Sequence, residues 1–192
     1  NVIIEASSHG LDQHRIDNVR LSGAAFTSFS RDHLDYHKNM KQYLNAKKRL
    51  FTSLLEKDST AVVNLIGINR RYHGFINDIC SRNLITIGTS NATINLLGFS
   101  RSSNKKINLK ISANGQLVVI ETPFIALFQA INATIAGCVA SMDSRISLMD
   151  YLMSIKLLKD ISGRLEFVAS KYTDANIYVD YAHTPSAMKA VL

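Results

Sequence analysis

Two histidines and two aspartates crowd residues 32–37 of the segment SFSRDHLDYHKNMKQYLNAKKRLF, residues 28–51. Three kinds of chemistry fit that composition: metal ligation, general-base catalysis, and the plain capping of a following helix. His33 and His37 are four apart, which on a helix puts them on one face. A zinc-protease pair would read H-E-x-x-H, and Leu34 stands where the glutamate should be. Asp35 and His37 read as cap and dipole partners of the helix that follows. Glu5 closes the apolar run Val2 to Ile4, and His33 follows a second run, GAAFTSF, residues 23–29. If both runs are strands, both residues stand at carboxyl ends, where open α/β sheets collect ligands. One carboxylate, one imidazole and waters suit a magnesium ion held by substrate phosphates better than zinc. Ser8 and His9 could suggest a nucleophile and its base. On an extended chain, however, neighbours point to opposite faces, and G-x-S-x-G is absent. Lys47 and Lys48, taken alone, read as a solvated helix face.

The elements that must hold these residues follow from periodicity. Val2–Ile4 reads as a buried strand ending in Glu5, and 23–29 as a second strand. Residues 39–57 carry Met40, Tyr43, Leu44, Leu50, Phe51, Leu54 and Leu55 at spacings of three and four, which predicts a helix with Asn39 as N-cap. TAVVNL (60–65) and LITIGT (84–89) predict two more strands, with a helix between them weakened by Gly74. From 92 to 121 polar and apolar residues alternate. Asn114-Gly115 is a strong hairpin signal there, so an antiparallel patch is expected. Helices over 124–141 and 146–158 follow, then a strand pair in SGRLEFVAS and ANIYVDYAH. The fold class is α/β: a mostly parallel central sheet flanked by helices, with a small antiparallel add-on. A boundary is expected near Ile161–Arg164, dividing residues 1–160 from 161–192.

Of the 192 residues, 46% are hydrophobic and 19% charged, enough for one sizeable core. No apolar run reaches the roughly 20 residues of a membrane span. The net charge of +7 is scattered, with no block of five like charges and no basic–aromatic alternation. That argues against nucleic acid and leaves a small polyanionic ligand open. Cys80 and Cys138 stand far apart in apolar settings and read as reduced, structural thiols. The chain opens on NVIIEASSHG without a methionine and ends within a helical pattern, so both ends look cut.

Four segments occur in order: EASSHGLDQHRID, FTSFSRDHLDYHKNMKQYLNAKKRLF, SGRLEF and VDYAHTPSAM. Together they closely resemble the MurE branch of the Mur ligases over essentially the whole chain. Sister Mur ligases and folylpolyglutamate synthetase share the Glu/His/Lys logic but lack SSHGL combined with RDHLDYH. The resemblance implies a P-loop-NTPase-like central domain and a cytoplasmic bacterial enzyme, expected to be monomeric and to bind neither nucleic acid nor membrane. The implied reaction adds a diamino acid, meso-diaminopimelate or lysine, to UDP-N-acetylmuramoyl-L-alanyl-D-glutamate. ATP phosphorylates the substrate carboxylate, and the incoming amine attacks the acyl phosphate.

Residue by residue, the resemblance makes Glu5 and His33 magnesium ligands and Lys47 a carbamylated lysine whose new anion approaches a second Mg2+. It assigns Ser7, Gln13 and Arg15 to the UDP-muramoyl dipeptide, and Asn132, Arg164 and Asp180 to ATP. Lys48 should point about 100° away around the helix and remain ordinary. Four positions depart from the family: Ser28 where Asn is usual, Ala126 where Gly is usual, and Ile4 and Ala6 in place of the Met and Val that flank the first acid, which should affect packing only. Ala126 then requires a negative φ. The family's phosphate loop, uridine-binding domain and most of its carboxy-terminal domain fall outside these 192 residues, so the chain alone is expected to be inactive.

Overall fold

The structure, a computed structural model, describes residues 2–79, 81, 83–142, 146–170 and 175–192. Cys80 lies outside the described residues. Among the described residues, eight strands form two sheets. The larger holds β1 (Leu21–Phe26), β2 (Leu55–Asn64), β3 (Asn83–Gly88), β4 (Ile94–Arg101), β5 (Ile107–Ala113) and β6 (Gln116–Glu121), side by side in chain order. β1 to β4 pair in parallel, while β4–β5 and β5–β6 are antiparallel. β4 stays beside β3 for only two residue pairs, Ile87 with Ile94 and Gly88 with Asn95. It then runs on into the hairpins, which turns a parallel core into an antiparallel extension. β7 (Glu166–Ser170) and β8 (Asn176–Val179) make a separate antiparallel ribbon.

Both faces of the parallel core are covered, which is why β2 carries an unbroken apolar run rather than an alternating one. Val62 faces the cluster built from α3 (Leu127–Ala140), α4 (Leu148–Ser154) and the inner residues of β4–β6. Ala61 and Val63 face the other way, against Tyr43 and Phe51 from the helical segment before β2. Each fully buried Ile or Phe contributes roughly 1.5–3 kcal/mol. The two clusters together therefore clamp the sheet between its helical layers.

Local chemistry explains the element ends. Asn39 accepts from the Gln42 amide at 3.0 Å and starts α2 (Met40–Arg49) as expected. Asn114 and Gly115 both have positive φ, 51° and 78°, so the hairpin turn forms where the sequence puts it. Ala126 is the N-cap of α3 with φ −113°, compatible with its β-carbon.

Four expectations are corrected. Val2–Ile4 is not a strand: Val2 is 84% exposed and Ile3 92%, and none of the described residues pairs with it. A β-branched run becomes a strand only when another strand satisfies its backbone. The helix predicted to Lys57 ends at Leu54. After α2 it widens into a π-turn, Leu50–Leu54, and Leu55 then pairs with Leu21 in β2. The segment around Gly74 is a tighter 3-10 helix, Arg70–Asp78, started by the Asn69 side chain. Ser8 and His9 lie in a short helix, α1 (Ser8–Asp12), rather than on extended chain. The last helix, α5 (Pro185–Val191), begins at a Thr184 cap. Among the described residues no helix is long and apolar enough to cross a membrane.

Candidate functional site

The residues of greatest interest gather where α1, the loop after β1 and α2 meet. Side chains on α2 lean back toward its amino end, so Lys47 lies over Tyr43, one turn earlier. Its Nζ is 5.3 Å from the Tyr43 ring centroid. Burial pushes the Lys47 amine below its ordinary value, against the opposing pull of the Glu5 and Asp32 carboxylates. Glu5 itself is exposed and irregular in backbone, yet its charge is felt at Lys47.

His33 reaches the same place from the other side. Its φ is +54°, a conformation few non-glycine residues adopt, and Asp32 Oδ1 holds its amide at 2.8 Å. The imidazole stands edge-on to Tyr43, with centroids 5.6 Å apart, and Nε2 lies 3.6 Å from Asp32 Oδ2. His33 and His37 are not on a helix face. They close a single turn, with the His37 amide donating to the His33 carbonyl at 2.9 Å. His37 is 4% exposed and stacks on Tyr43 at 5.3 Å, so it packs in the core rather than capping α2, which Asn39 caps. Burial lowers its pKa, opposed by Asp12. His9 completes the group, with its ring 4.1 Å from Tyr36 and 5.2 Å from His33.

Around this group runs a polar seam. Tyr36 Oη donates to Asp12 at 2.9 Å and accepts from Gln13 Nε2 at 3.3 Å. Arg15 donates to Gln13 Oε1 at 2.5 Å. Ser7 caps α1, accepting from the Gly10 amide at 3.0 Å. The three predicted dipeptide contacts therefore sit on one short loop beside Glu5, all exposed. Ser28 is exposed as well. Among the described residues no set of three His, Cys, Asp or Glu side chains could hold a metal alone. The Glu5 carboxylate and the His33 imidazole are donor types that suit a hard cation completed by phosphate oxygens and water rather than an all-protein cage.

Of the predicted nucleotide residues, Asp180 and the Arg164 segment are joined directly, through the Leu165 amide. Asn132 is exposed on α3. One turn earlier on α3, Gln129 donates to the Arg164 carbonyl at 2.8 Å. Arg164 lies over the Tyr181 ring at 5.3 Å. Asp180 accepts from the Leu165 and Ala182 amides, each at 2.7 Å, so both of its oxygens already carry structural bonds. A hydrogen bond bridges the C-terminal segment and the histidine loop: Ser186 Oγ donates to Ser30 Oγ at 3.0 Å.

Sequence reasoning gave no site role to Tyr43 or Arg49. Tyr43 and Lys47 at i and i+4 were a usable signal. Arg49 had none. It grips Asp17 through two nitrogens and also donates to the Leu11 carbonyl at 3.2 Å, which fastens the α1 loop to α2. Lys48 pairs with Asp78 at 2.6 Å and, as expected, points elsewhere. Cys138 is buried, its thiol pushed up to about 12 by burial, and so is chemically inert.

Residues 1–140 match the family described as the Mur ligase middle domain. The chain is 39% identical to the UDP-N-acetylmuramoyl-L-alanyl-D-glutamate--2,6-diaminopimelate ligase of Zymomonas mobilis, over 100% of this chain and 39% of that protein. A solved structure of a ligase of the same name superposes with a TM-score of 0.73 at 26% identity, over 96% of this chain and 37% of the other. The MurF ligase of Thermotoga maritima, solved with ADP, superposes at 0.71 with 16% identity, over 92% and 39% of the two chains. That last likeness speaks to fold alone. The chain spans about two fifths of the length of the curated relative it matches.

Proposed function

The chain belongs to the Mur ligase middle-domain family, and on that premise we propose that it forms the nucleotide-handling core of an ATP-dependent amide ligase of the MurE type. The reaction adds diaminopimelate to UDP-N-acetylmuramoyl-L-alanyl-D-glutamate in the bacterial cytoplasm. The observation that carries this reading is the meeting of Lys47, His33 and the Glu5 and Asp32 charges around Tyr43. The diaminopimelate assignment is supported by the name of the 39%-identical relative.

Glu5, His33 and a carbamylated Lys47 would hold magnesium, which supplies neutralisation of phosphate charge as the acyl phosphate forms. The residues of this chain do the positioning. Burial keeps the Lys47 amine closer to neutrality, as reaction with carbon dioxide requires. Ser7, Gln13 and Arg15 present hydroxyl, amide and guanidinium groups toward the muramoyl dipeptide, where an arginine fork suits a carboxylate or phosphate. Asn132, Arg164 and Asp180 are assigned to ATP. Asp180 does so in part by holding the Arg164 loop in shape. Residues 161–192 are read as the start of a second domain.

A chimera tests this, with residues 1–192 replacing the matching segment of the Zymomonas mobilis relative. Phosphate release should need ATP, the UDP-muramoyl dipeptide and diaminopimelate together, and should vanish in Lys47→Ala. A silent chimera that folds, beside an active parent, would sink the reading.

A further inference from the structure

The Tyr43 ring is the shared floor of the site. It packs on Phe29 with centroids 4.8 Å apart and on His37 at 5.3 Å, both at shallow angles of 30° and 27°. His33 meets it edge-on at 5.6 Å, and Lys47 Nζ stands 5.3 Å from its centroid. Tyr43 is 5% exposed, and its contacts with Phe29, His33, His37 and Lys47 all run through the ring. Phe29 and His37 keep the plate from tilting, and the plate leaves Lys47 and His33 few rotamers.

We propose that Tyr43 is a positioning residue whose aromatic ring aims the Lys47 amine, and sets it beside His33, for reaction with carbon dioxide. The proposal rests on the reading above that Lys47 is carbamylated. In that step the amine lone pair forms a C–N bond to carbon dioxide. One C=O electron pair moves onto oxygen, and the nitrogen releases a proton to solvent. A leucine at position 43 would fill part of the space yet offer no flat face, so the lysine would sample other rotamers. A phenylalanine would keep the face.

The test uses the 192-residue chain in 13C-bicarbonate, with Lys47→Ala to identify the carbamate resonance. Tyr43→Phe should keep carbamate occupancy within about two-fold of the parent. Tyr43→Leu should lower it at least five-fold while circular dichroism still reports a folded chain. Equal occupancy in Tyr43→Leu, or an equal loss in both variants, overturns the proposal. A second readout does not depend on carbamylation: the acetic anhydride labelling ratio of Lys47 to Lys48, by mass spectrometry without bicarbonate. Lys48 serves as reference because Asp78 holds it. The ratio should rise several-fold in Tyr43→Leu and stay put in Tyr43→Phe. An unchanged ratio in Tyr43→Leu overturns the positioning role. A parent with no carbamate signal but the expected ratios would instead retire the carbamylation reading and leave the aiming role standing.

Discussion

Arg49 grips Asp17 across 32 residues of chain, two guanidinium nitrogens meeting two carboxylate oxygens, with Asp17 Oδ1 at 2.6 Å. His14 Nδ1 joins the same carboxylate at 2.7 Å. This knot ties the loop bearing Ser7, Gln13 and Arg15 to the helix bearing Lys47. Position is therefore its contribution, more than energy, since an exposed pair adds little stability.

The knot gives the loop an acid limit. The Arg49 guanidinium, and then His14, hold Asp17 down at about 2, below its ordinary 3.8. A carboxyl depressed in the folded state contributes in full above its unfolded value, and that contribution is lost as pH falls toward the folded one. Amide exchange across residues 8–17 should rise several-fold between pH 4 and pH 2 relative to β2 amides. Asp17→Asn should show the faster exchange already at pH 5, measured by hydrogen–deuterium exchange.

Gly67 has no room for a side chain. A β-carbon there would sit 2.6 Å from the Thr27 carbonyl oxygen, a backbone atom that cannot swing aside. The Gly67 carbonyl also accepts from the Phe29 amide at 2.8 Å. Gly67→Ala should cost about 1–3 kcal/mol in urea unfolding and should disturb the start of the His33 loop. Gly74→Ala is the control, since nothing lies within 4 Å of its β-carbon position.

Asp180→Asn separates shape from ligand binding. The amide has one acceptor oxygen where the carboxylate has two, so the Leu165 or Ala182 amide loses its partner. Faster exchange at residues 163–166 without nucleotide, with a local cost of about 1–3 kcal/mol, is the expected result. Unchanged exchange there would assign Asp180 to ATP alone.

Lys47→Met should not lower thermal stability at pH 7 and should raise it by up to about 1 kcal/mol. Burial disfavours the charged amine, and the methionine stem can still cover Tyr43. A melting temperature several degrees below the parent would mean that the lysine is structural.

Much of the fold was legible because its signals are local. Asn39 caps within three residues, Asn114-Gly115 turns within two, and Ala61, Val62 and Val63 announce a strand buried on both faces. What failed depended on distant partners. Val2–Ile4 has strand composition, but pairing is not written in composition. The apolar rhythm of α2 runs past Leu54, yet Leu21 recruits Leu55 into the sheet first. The site divides the same way. Family motifs singled out Lys47, His33 and Glu5. The plate that Tyr43 makes needed Phe29 and His37 to be seen around it, and Arg49–Asp17 left no trace in spacing.

The large sheet runs β1 to β6 without a single strand out of turn. Each of β2 to β6 joins the strand before it in chain order, so this part of the sheet can be laid down row by row as the polypeptide leaves the ribosome. Only the closing of helices over each face has to wait. The β4–β6 hairpin loops are short, which keeps their closure entropy low, whereas the helix-bearing crossovers from Phe26 to Leu55 and from Asn64 to Asn83 are longer and cost more to close.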